Sequence, residues 1–333
     1  MKNHKVDLKI NFSVAIPVYN EENNIINLLE SLINQTYLPS EIIISDGGSN
    51  DNTVKLINEY ITKNNNEKIF IKVIGREGKC RGSGRNIAIK NCKSNYIALI
   101  DSGHFADKNW LSEFASLISK KKEADVIFGS VNPIKKNFFD KIVSSFILGN
   151  KQHNEKIKET VASLIIKKNA FEKIGFFIES NDGSYVVEDL NFINKIKNTK
   201  GINKFYLESS FTNWKVSDNY KQLFNKYVNY SIGAINSGYF DVWHKSVFRN
   251  LFFLFLIIYF SIFFLNLTLL IIILIIVFLF RSILYLNKNQ WFNKANIFIK
   301  IKYLISLSFL LLLIDFAAIK GFFLWLVKKI KFN

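Results

Sequence analysis

Residues 251 to 280 form a run of thirty amino acids without a charged side chain, and this run restricts the fold more than any other feature of the chain. One membrane crossing takes about 20 apolar residues, and helices of soluble proteins rarely extend this far without a polar face. Asn266 and Thr268 stand near the middle of the run, where they favour a tight turn over one strongly tilted helix. The sequence therefore predicts a transmembrane helical hairpin at residues 247–286.

The basic residues around this run indicate which side of the membrane its two ends face. Arg249 precedes the run and Arg281 follows it. Because positive residues collect on the cytoplasmic side of membrane proteins, both ends of the run are expected on that side.

The whole chain has a net charge of +17, of which residues 247–333 hold +9, from ten basic residues against one acidic residue, Asp315. An anionic membrane face explains this charge better than nucleic acid does, because no nucleic-acid-binding motif accompanies it. We therefore expect no nucleic-acid partner.

A third apolar segment, residues 299–328, has two explanations. It contains Asp315 and Lys320 between apolar stretches and is followed by lysines. A third crossing would place those lysines outside, against the charge rule, whereas an amphipathic helix lying in the interface would keep them at the anionic cytoplasmic face. The sequence supports the two equally.

The N-terminal residues and the cysteines indicate a cytosolic domain without a disulfide framework. Residues 1–12 have a basic end but no apolar run, unlike a secretory signal. Cys80 and Cys92 have eleven residues between them, and the four His complete no zinc-binding pattern. The fold must therefore be organised by its apolar core.

Residues 1–246 alternate strand-like and helix-like segments, which predicts an α/β domain with a mainly parallel, Rossmann-like sheet. The predicted strands are residues 12–18, 41–45, 69–74 and 96–100. Ligands bind beyond the carboxyl ends of such strands. Three polar loops should therefore meet at one rim: Pro17 to Glu22, Asp46 to Asp51 and Asp101 to His104.

Each rim loop carries polar residues that have both a structural and a functional explanation. Asn20 and Glu22 are typical of a capped helix start, and the glycines after Asp46 permit a turn with positive φ. Helix capping does not explain why Asp46 ends a strand. Asp101 is suited to hold a hard divalent cation that neutralises a diphosphate, with His104 as a further ligand or a surface turn residue.

A basic, glycine-rich segment precedes the fourth strand. Lys79, Arg81 and Arg85 stand among three glycines before a predicted helix, and such a helix N-terminus binds anions, although a flexible basic turn is the alternative. Further along, Glu188 and Asp189 begin another helix, where acids are favoured by the helix dipole alone.

Four motifs, in this order along the chain, resemble those of the family 2 glycosyltransferases of the GT-A fold. They are SVAIPVYNEENNIINLLESLINQTYLPSEIIISDGGSNDNT, RGSGRNIAI with NYIALIDSGHFADKNWL, IIKKNAFEKIGFF, and VEDL. The resemblance covers about residues 12–190 and extends more loosely to residue 238. It implies a GT-A nucleotide-sugar-binding domain that uses a divalent cation, Mg²⁺ or Mn²⁺.

The resemblance also assigns roles to individual residues. Asp46 falls on the position that recognises the nucleotide base. The family's Asp-x-Asp motif falls on Asp101 to Gly103, but Gly103 stands where the second Asp is expected, and one carboxylate is left. The expected catalytic residues are Asp189 and Glu188, the metal ligands are Asp101 and His104, and the nucleotide-sugar-binding residues are Pro17, Tyr19, Asn20, Glu22, Asp46, Gly47, Arg81, Arg85, Asp101, Ser102 and Gly103.

The function that the resemblance implies is inverting transfer of one sugar from a nucleotide-diphosphate sugar to a lipid-linked or surface-glycan acceptor. Asp189 would deprotonate the acceptor hydroxyl, while Asp101 with the cation and Arg81 or Arg85 would hold the diphosphate. Transfer of a single sugar is expected because the Gln-x-x-Arg-Trp motif of processive synthases is absent from the sequence. The alternatives are a polyprenyl-phosphate glycosyltransferase that makes a lipid-monophosphate sugar and a non-catalytic membrane scaffold with a degenerate GT-A domain.

The expected organisation has three parts. A cytoplasmic GT-A domain would span residues 1–246, with its nucleotide-sugar half ending near residue 130, followed by the hairpin and by the third apolar segment. Within it, Trp214 to Phe240 mixes aromatic and basic residues at helical spacing, which suits either a membrane-surface helix or a domain-closing helix. The predicted location is the inner, cytoplasmic membrane, multi-pass, with membrane lipid as a partner and the catalytic domain in the cytoplasm.

Overall fold

The structure is a computed structural model that describes residues 10–64, 68–75, 80–148, 159–180, 186–217, 219–263, 267–286, 292 and 295–332. Its strands are β1 (Phe12–Val18), β2 (Glu41–Asp46), β3 (Phe70–Gly75), β4 (Tyr96–Leu99), β5 (His104–Ala106), β6 (Val126–Pro133), β7 (Leu164–Lys167) and β8 (Lys204–Trp214). Its helices are α1 (Ile25–Ile33), α2 (Thr53–Lys63), α3 (Arg81–Asn91), α4 (Trp110–Lys120), α5 (Phe138–Leu148), α6 (Ala170–Ile174), α7 (Glu188–Asn198), α8 (Tyr220–Asn236), α9 (Phe240–Phe263), α10 (Leu267–Leu286) and α11 (Ile297–Phe332). The four predicted strands are confirmed to within one residue at each end. Lys79 lies outside the described residues.

The strands form one sheet in the order β3-β2-β1-β4-β7-β6-β8-β5. β3, β2, β1 and β4 are parallel neighbours, whereas β7 pairs antiparallel with both β4 and β6, and β5 pairs antiparallel with β8. The predicted α/β fold class is confirmed. The sheet as a whole is mixed, because later strands extend the β4 side in antiparallel fashion and only the first four strands are parallel.

The first two strands are buried along their whole length, which explains their nearly continuous apolar sequences. α1 covers this part of the core with an apolar stripe at helical spacing. That stripe consists of Ile25, Leu28, Leu29 and Leu32. Because β1, β2 and β4 are parallel neighbours, the loops that follow them leave the sheet at the same rim.

By compactness the chain consists of two units. The first comprises residues 1–132, 157–183 and 188–215, and the second comprises residues 133–156, 184–187 and 216–333. The first unit holds all the strands of the sheet except the last residue of β6, and the second holds α5 and α8 to α11. Residues 216–246, which the sequence grouped with the α/β domain, fall in the helical unit.

In the helical unit the uncharged run is divided between α9 and α10, and residues 264–266 between them lie outside the described part of the chain. Arg249 of α9 lies with its Nη2 atom 2.6 Å from Asp315 Oδ1, and Arg281 of α10 hydrogen-bonds both oxygens of the same carboxylate. The two arginines stand 32 positions apart in the sequence, so their shared partner brings the start of one helix beside the end of the other. This arrangement is that of an antiparallel hairpin.

Within the described residues, one helix is long and apolar enough to cross a membrane, namely α11 over Ile297–Ile330. A third of its most apolar window is buried inside the protein. Such a helix is compatible with membrane association. It does not support the predicted multi-pass placement in the inner membrane.

Candidate active site

The loops that follow β1, β2 and β4 are hydrogen-bonded to one another at the rim of the sheet. The main-chain N–H of Asn20 donates to Ser49 Oγ at 2.9 Å, and Asn20 Oδ1 accepts from the N–H of Asn50 at 2.9 Å. Ser102 Oγ donates to Glu21 Oε1 at 2.9 Å, which joins the loop after β4 to the loop after β1. The structure therefore brings together the three predicted rim loops.

Asn20 has φ +54°, and no other non-glycine residue of the described ranges has a positive φ. Asn tolerates this left-handed conformation, which is sparsely populated and collects at functional sites. Its neighbours are less accessible: Pro17 is buried opposite Ser45 in the register of β1 with β2, and Tyr19 is half-buried. The N–H of Gly47 donates to Val18 O at 2.9 Å, so the second loop is attached directly to the end of β1.

Asp46 and Glu22 have their carboxylates engaged by the loops themselves. Asp46 is 5% exposed, and its oxygens accept hydrogen bonds from the N–H groups of Gly48 and Ser49 and from Ser49 Oγ, at 2.6 to 3.1 Å. Glu22 Oε2 accepts from the main-chain and side-chain N–H groups of Asn52, both at 3.0 Å. Asp46 thus ends β2 because it closes the glycine loop that follows. Its role in recognising the base stays a prediction.

Arg85 of α3 joins three carboxylates at the centre of the site. Its Nη2 lies 2.7 Å from Asp101 Oδ1, and its Nη1 lies 2.7 Å from Asp189 Oδ1 and 3.1 Å from Glu188 Oε1. The side chain of Arg85 is 2% exposed, whereas that of Asp189 is 41% exposed and can be reached by a substrate. We call these four residues the Arg85 cluster.

The contacts of Arg85 differ from the predicted ones. The sequence assigned Arg85 to the donor diphosphate, but its buried guanidinium contacts three carboxylates and also lies over the ring of Phe177, 5.2 Å from the centroid. A guanidinium in this position orients the acidic side chains. Arg81 begins α3 and is exposed, so of the two arginines it is the one placed to meet an anion.

The carboxylates of the Arg85 cluster have their pKa values shifted in opposite directions. Loss of hydration raises the pKa of Asp189 to about 7; Arg85 and Arg81 oppose this rise, and the charges of Glu188 and Asp101 add to it. Loss of hydration also acts on Asp101, but Arg85 and neighbouring groups outweigh it, so the pKa of Asp101 is lowered from its usual value. One carboxylate is therefore set to exchange a proton near neutral pH, while the other stays ionised.

The chain leading to the acidic pair is held against α3. Asn86 Nδ2 donates to Phe177 O at 3.0 Å and to Glu179 Oε1 at 2.5 Å, and Asn86 Oδ1 accepts from the N–H of Phe177 at 3.0 Å. A Cβ at Gly82 would lie 2.0 Å from Ile178 O, so the close approach requires glycine. The role of Asn86 was missed in the sequence, although it stands in the RGSGRNIAI motif.

Replacing Gly82 by Ala is expected to lower the free energy of unfolding by about 1 to 3 kcal/mol, because a methyl group would push the segment around Ile178 away from α3. Gly75→Ala is the matched control, since a Cβ there meets nothing within 4 Å. Thermal melting of both variants measures the difference. Equal melting temperatures would show that the approach of Ile178 to α3 is not tight.

His104 begins β5 and is buried. The sequence predicted either a metal ligand in a loop or a surface turn residue, and neither expectation predicts a buried position in a strand. Its Nδ1 lies 3.0 Å from Thr212 Oγ1, and its ring stacks on that of Trp214 with the centroids 6.0 Å apart. These contacts attach β5 to β8, and the metal role of His104 stays a prediction.

The acidic residues of the site offer few protein ligands for a metal ion. Within the described ranges, no group of three or more His, Cys, Asp or Glu side chains could hold a metal ion. Asp101 is 28% exposed and offers one carboxylate at the rim, one oxygen of which contacts Arg85. This donor set fits a cation that takes its remaining ligands from a phosphate-bearing substrate and water, as Mg²⁺ commonly does.

Comparison with known proteins relates residues 13–181 to one family. A family model described as Glycosyl transferase family 2 matches these residues, which are half of the chain. Poly(ribitol-phosphate) beta-glucosyltransferase of Bacillus spizizenii is 34% identical over 125 residues, which cover 37% of this chain and 19% of that protein. Glycosyltransferase AglE of Haloferax volcanii is 31% identical over 173 residues, which cover 50% of this chain and 55% of that protein.

A solved structure is also similar to this chain. The crystal structure of S. aureus TarS 1-349 in complex with UDP-GlcNAc matches with a TM-score of 0.49 and 19% identity, over 68% of this chain and 67% of that one. The chain thus spans about a fifth of the first curated relative and about half of the second.

Proposed function

The chain belongs to glycosyl transferase family 2, and on that premise we propose that it transfers one sugar, with inversion, from a nucleotide-diphosphate sugar to a lipid-linked or surface-glycan acceptor. The observation that carries this proposal is the Arg85 cluster, which combines an ionised carboxylate with an accessible one that titrates near neutral pH. The relatives support the reaction class, since both relatives described above are named as glycosyltransferases, one of them acting on poly(ribitol-phosphate).

In the proposed mechanism Asp189 removes the proton from the acceptor hydroxyl as its oxygen attacks C1 of the donor sugar. The bond from C1 to the nucleoside diphosphate breaks on the opposite face, and the proton remains on Asp189 until it passes to water. Arg85 holds Asp189 and Asp101 in fixed positions, while Arg81 at the start of α3 contributes positive charge for the diphosphate.

The proposal assigns Asp101 to a divalent cation, Mg²⁺ or Mn²⁺, bound jointly with the donor phosphates. When bound, the cation neutralises charge on the leaving diphosphate. The lowered pKa of Asp101 keeps this carboxylate charged across the neutral range. His104 remains a candidate second ligand, although the contact with Thr212 occupies its Nδ1.

A screen of nucleotide sugars by thermal shift, with and without Mn²⁺, tests the donor assignment, because a ligand that binds only the folded state raises the melting temperature. The donors that bind are then incubated with lipid extracts, and the radiolabelled product is analysed. Release of the sugar from a lipid monophosphate by mild acid would identify the polyprenyl-phosphate alternative. Donor binding without any turnover would contradict catalysis and favour the scaffold alternative.

We further propose that the helical unit attaches the protein to the cytoplasmic face of a membrane. Its hairpin and α11 leave many large apolar side chains exposed, among them Phe252, Phe255, Ile262, Phe298 and Phe316. Extensive exposed apolar surface marks membrane or protein contact sites. Recovery of the full chain in the membrane fraction of lysed cells is the expected result, and recovery in the soluble fraction would contradict the attachment.

The pH dependence of kcat/KM is expected to follow the ionisation of Asp189. Arg85, Arg81, Glu188 and Asp101 surround this carboxylate, and its pKa is about 7. Below that pH the base is protonated, so kcat/KM should rise about tenfold per pH unit and level off above it. A profile that is flat between pH 5.5 and 8.5 would argue against a carboxylate base at this position.

Replacing Gly103 by Asp is expected to tighten divalent-cation binding by about tenfold, because it supplies a second carboxylate in the Asp-x-Asp arrangement. Space is available, since a Cβ at Gly103 meets nothing within 4 Å. Titration of Mn²⁺ in the presence of the nucleoside diphosphate measures the effect, and Gly103→Asn is the uncharged control. Equal Mn²⁺ affinity in both variants would place the cation elsewhere.

A further inference from the structure

We propose that this protein is held in one leaflet of a membrane without crossing it, with the α9–α10 hairpin entering partway and α11 lying along the membrane surface. The inference rests on the membrane attachment proposed above and specifies its geometry. The surface concerned is the exposed apolar side of the helical unit, and its partner is an anionic bilayer.

The charged residues at the base of the hairpin indicate how deep the base lies in the membrane. Arg249 and Arg281 flank the uncharged run, and both contact the carboxylate of Asp315, which is 3% exposed. Charged side chains are expensive in the hydrocarbon region and belong at its edge or in the protein interior. The side chains of Arg249 and Arg281 are 33% and 20% exposed, so they are not enclosed in the protein interior, and this places the two ends of the hairpin and the middle of α11 together at the membrane interface.

The length of the two hairpin arms limits how far they reach into the membrane. Beyond the arginines, α9 provides 14 residues up to Phe263, and α10 provides 14 residues from Leu267 to Phe280. At 1.5 Å per residue each arm reaches only about 21 Å, whereas the hydrocarbon core is about 30 Å thick. Even the whole run of thirty residues gives 15 per arm. The hairpin is thus long enough to enter the membrane and return, but too short to cross it twice.

Asp315 stands near the middle of α11. Eighteen residues of the helix precede Asp315 and 17 follow it, so each half is about 26 Å long. Both halves carry lysines, such as Lys302 in the first and Lys328 in the second. A helix whose middle lies at the interface, and whose halves are short and charged, cannot place either half across the bilayer.

α11 packs closely on α8. Ser231 Oγ donates to Ala318 O at 3.1 Å, and a Cβ at Gly321 would lie 2.7 Å from Val228 O, so the two helices are in close contact. α8 also carries Lys221 and Lys226 and several Asn and Tyr side chains. A helix of this polarity does not belong in hydrocarbon. The middle of α11 is consequently packed on protein and not surrounded by lipid tails.

The exposed side of α11 carries an apolar stripe. Six apolar residues at spacings of four and seven occupy one face and are 49% to 80% exposed, whereas Leu307, Leu311 and Ile314 on the other side are buried. Lys302 and Lys320 are exposed beside this outer stripe, each with its ammonium over an aromatic ring. An apolar stripe bordered by cations is complementary to an anionic leaflet. The stripe consists of Phe298, Ile305, Phe309, Phe316, Phe323 and Ile330.

Single-cysteine labelling of the full chain tests this geometry. In a Cys80→Ser, Cys92→Ala background, the probes are Thr268→Cys in the first turn of α10, Ile297→Cys and Ile330→Cys at the two ends of α11, and Ser116→Cys on α4 as a marker. A membrane-impermeant maleimide is applied to spheroplasts and, separately, to inverted vesicles. Donor-induced thermal shift of each purified variant confirms that it is folded, and Leu324→Cys replaces Ile330→Cys where that variant does not accumulate.

The expected result is that both ends of α11 are labelled from the same side as Ser116→Cys, at least tenfold more than from the other side. Thr268→Cys should react from neither side until detergent is added. Labelling of Thr268→Cys from the side opposite Ser116→Cys, or labelling of the two ends of α11 from opposite sides, would overturn the inference. A folded protein found only in the soluble fraction would instead contradict the membrane attachment itself, and sugar transfer by that protein would leave the proposed reaction standing.

Discussion

Replacing Asp189 by Asn is expected to lower kcat by about 10²- to 10⁴-fold, which is the usual contribution of a general base. The amide keeps the shape of the carboxylate but cannot accept the proton of the acceptor hydroxyl. Asp189 is 41% exposed at the start of α7, so its replacement leaves the buried contacts of Arg85 with Glu188 in place. Donor affinity should therefore change little, and the loss should fall on the rate.

Initial rates with saturating donor measure the effect, and a titration of the donor measures binding. Glu208→Gln on β8 is the matched control, because this carboxylate is exposed and is not among the residues assigned to the site. A kcat within threefold of the unmodified protein in Asp189→Asn would exclude this carboxylate as the base. The variant should also lose the pH dependence near 7.

Replacing Arg85 by Met is expected to strongly destabilise the unit that contains the sheet. Removing one partner of a buried ion pair leaves uncompensated charge, at a cost of about 3 to 5 kcal/mol. The lower end of this range is expected, because Asp101 and Asp189 are partly exposed and keep some hydration. Sugar transfer should be lost as well, since the carboxylates lose the group that orients them.

The size of the pH effect on stability distinguishes this explanation from a simple packing defect. In the unmodified protein the pKa of Asp101 is lowered, so its stabilising contribution is present above the unfolded pKa of about 4 and is lost as the pH falls through the folded value. In Arg85→Met the carboxylates lose their cation and their pKa values rise above those of the unfolded chain. The unmodified protein already gains some stability as the pH falls from 8 to 5.5, because the pKa of Asp189 is raised to about 7. The variant should gain more over the same range.

Thermal melts at these two pH values measure the effect, with Lys90→Met on the same helix as the control. Lys90 is an exposed cation whose ammonium lies over the ring of Phe176, 5.1 Å from the centroid, and it contributes little to stability. If the melting temperature of Arg85→Met rises no more between pH 8 and 5.5 than that of the unmodified protein does, the ion-pair explanation is wrong.

The parallel half of the sheet was predictable because its strands carry the signal themselves. β1 and β2 are apolar nearly throughout and are each followed by a polar loop, so both the strands and the rim that their loops form follow from local sequence. The antiparallel half was not predictable to the same degree. β5 is three residues long and pairs with β8 more than a hundred residues later, and no local pattern indicates such a pairing.

The places of the candidate site residues in the fold were predicted better than their contacts. Asp101 follows a strand and Asp189 lies at a helix start, as the sequence predicts, whereas Arg85, which contacts both, was expected to bind phosphate. A sequence cannot show that a guanidinium 16 positions before one carboxylate and about a hundred before the other is buried between them. The same limit applies to Asp46, since the hydrogen bonds that engage it depend on the path of its loop.

The close packing of α8 on α11 has a consequence for the order in which the chain matures. Gly321 is ninety residues beyond Ser231, so at 5 to 20 residues per second a ribosome needs roughly 5 to 18 seconds to produce the partner of α8. During that interval the apolar face of α8, with Leu223 and Val228, has no α11 to cover it, while the hairpin between them is already available to lipid. The helical unit therefore cannot close as it is synthesised, and the arrival of α11 sets the earliest moment at which a nascent chain becomes resistant to protease at α8.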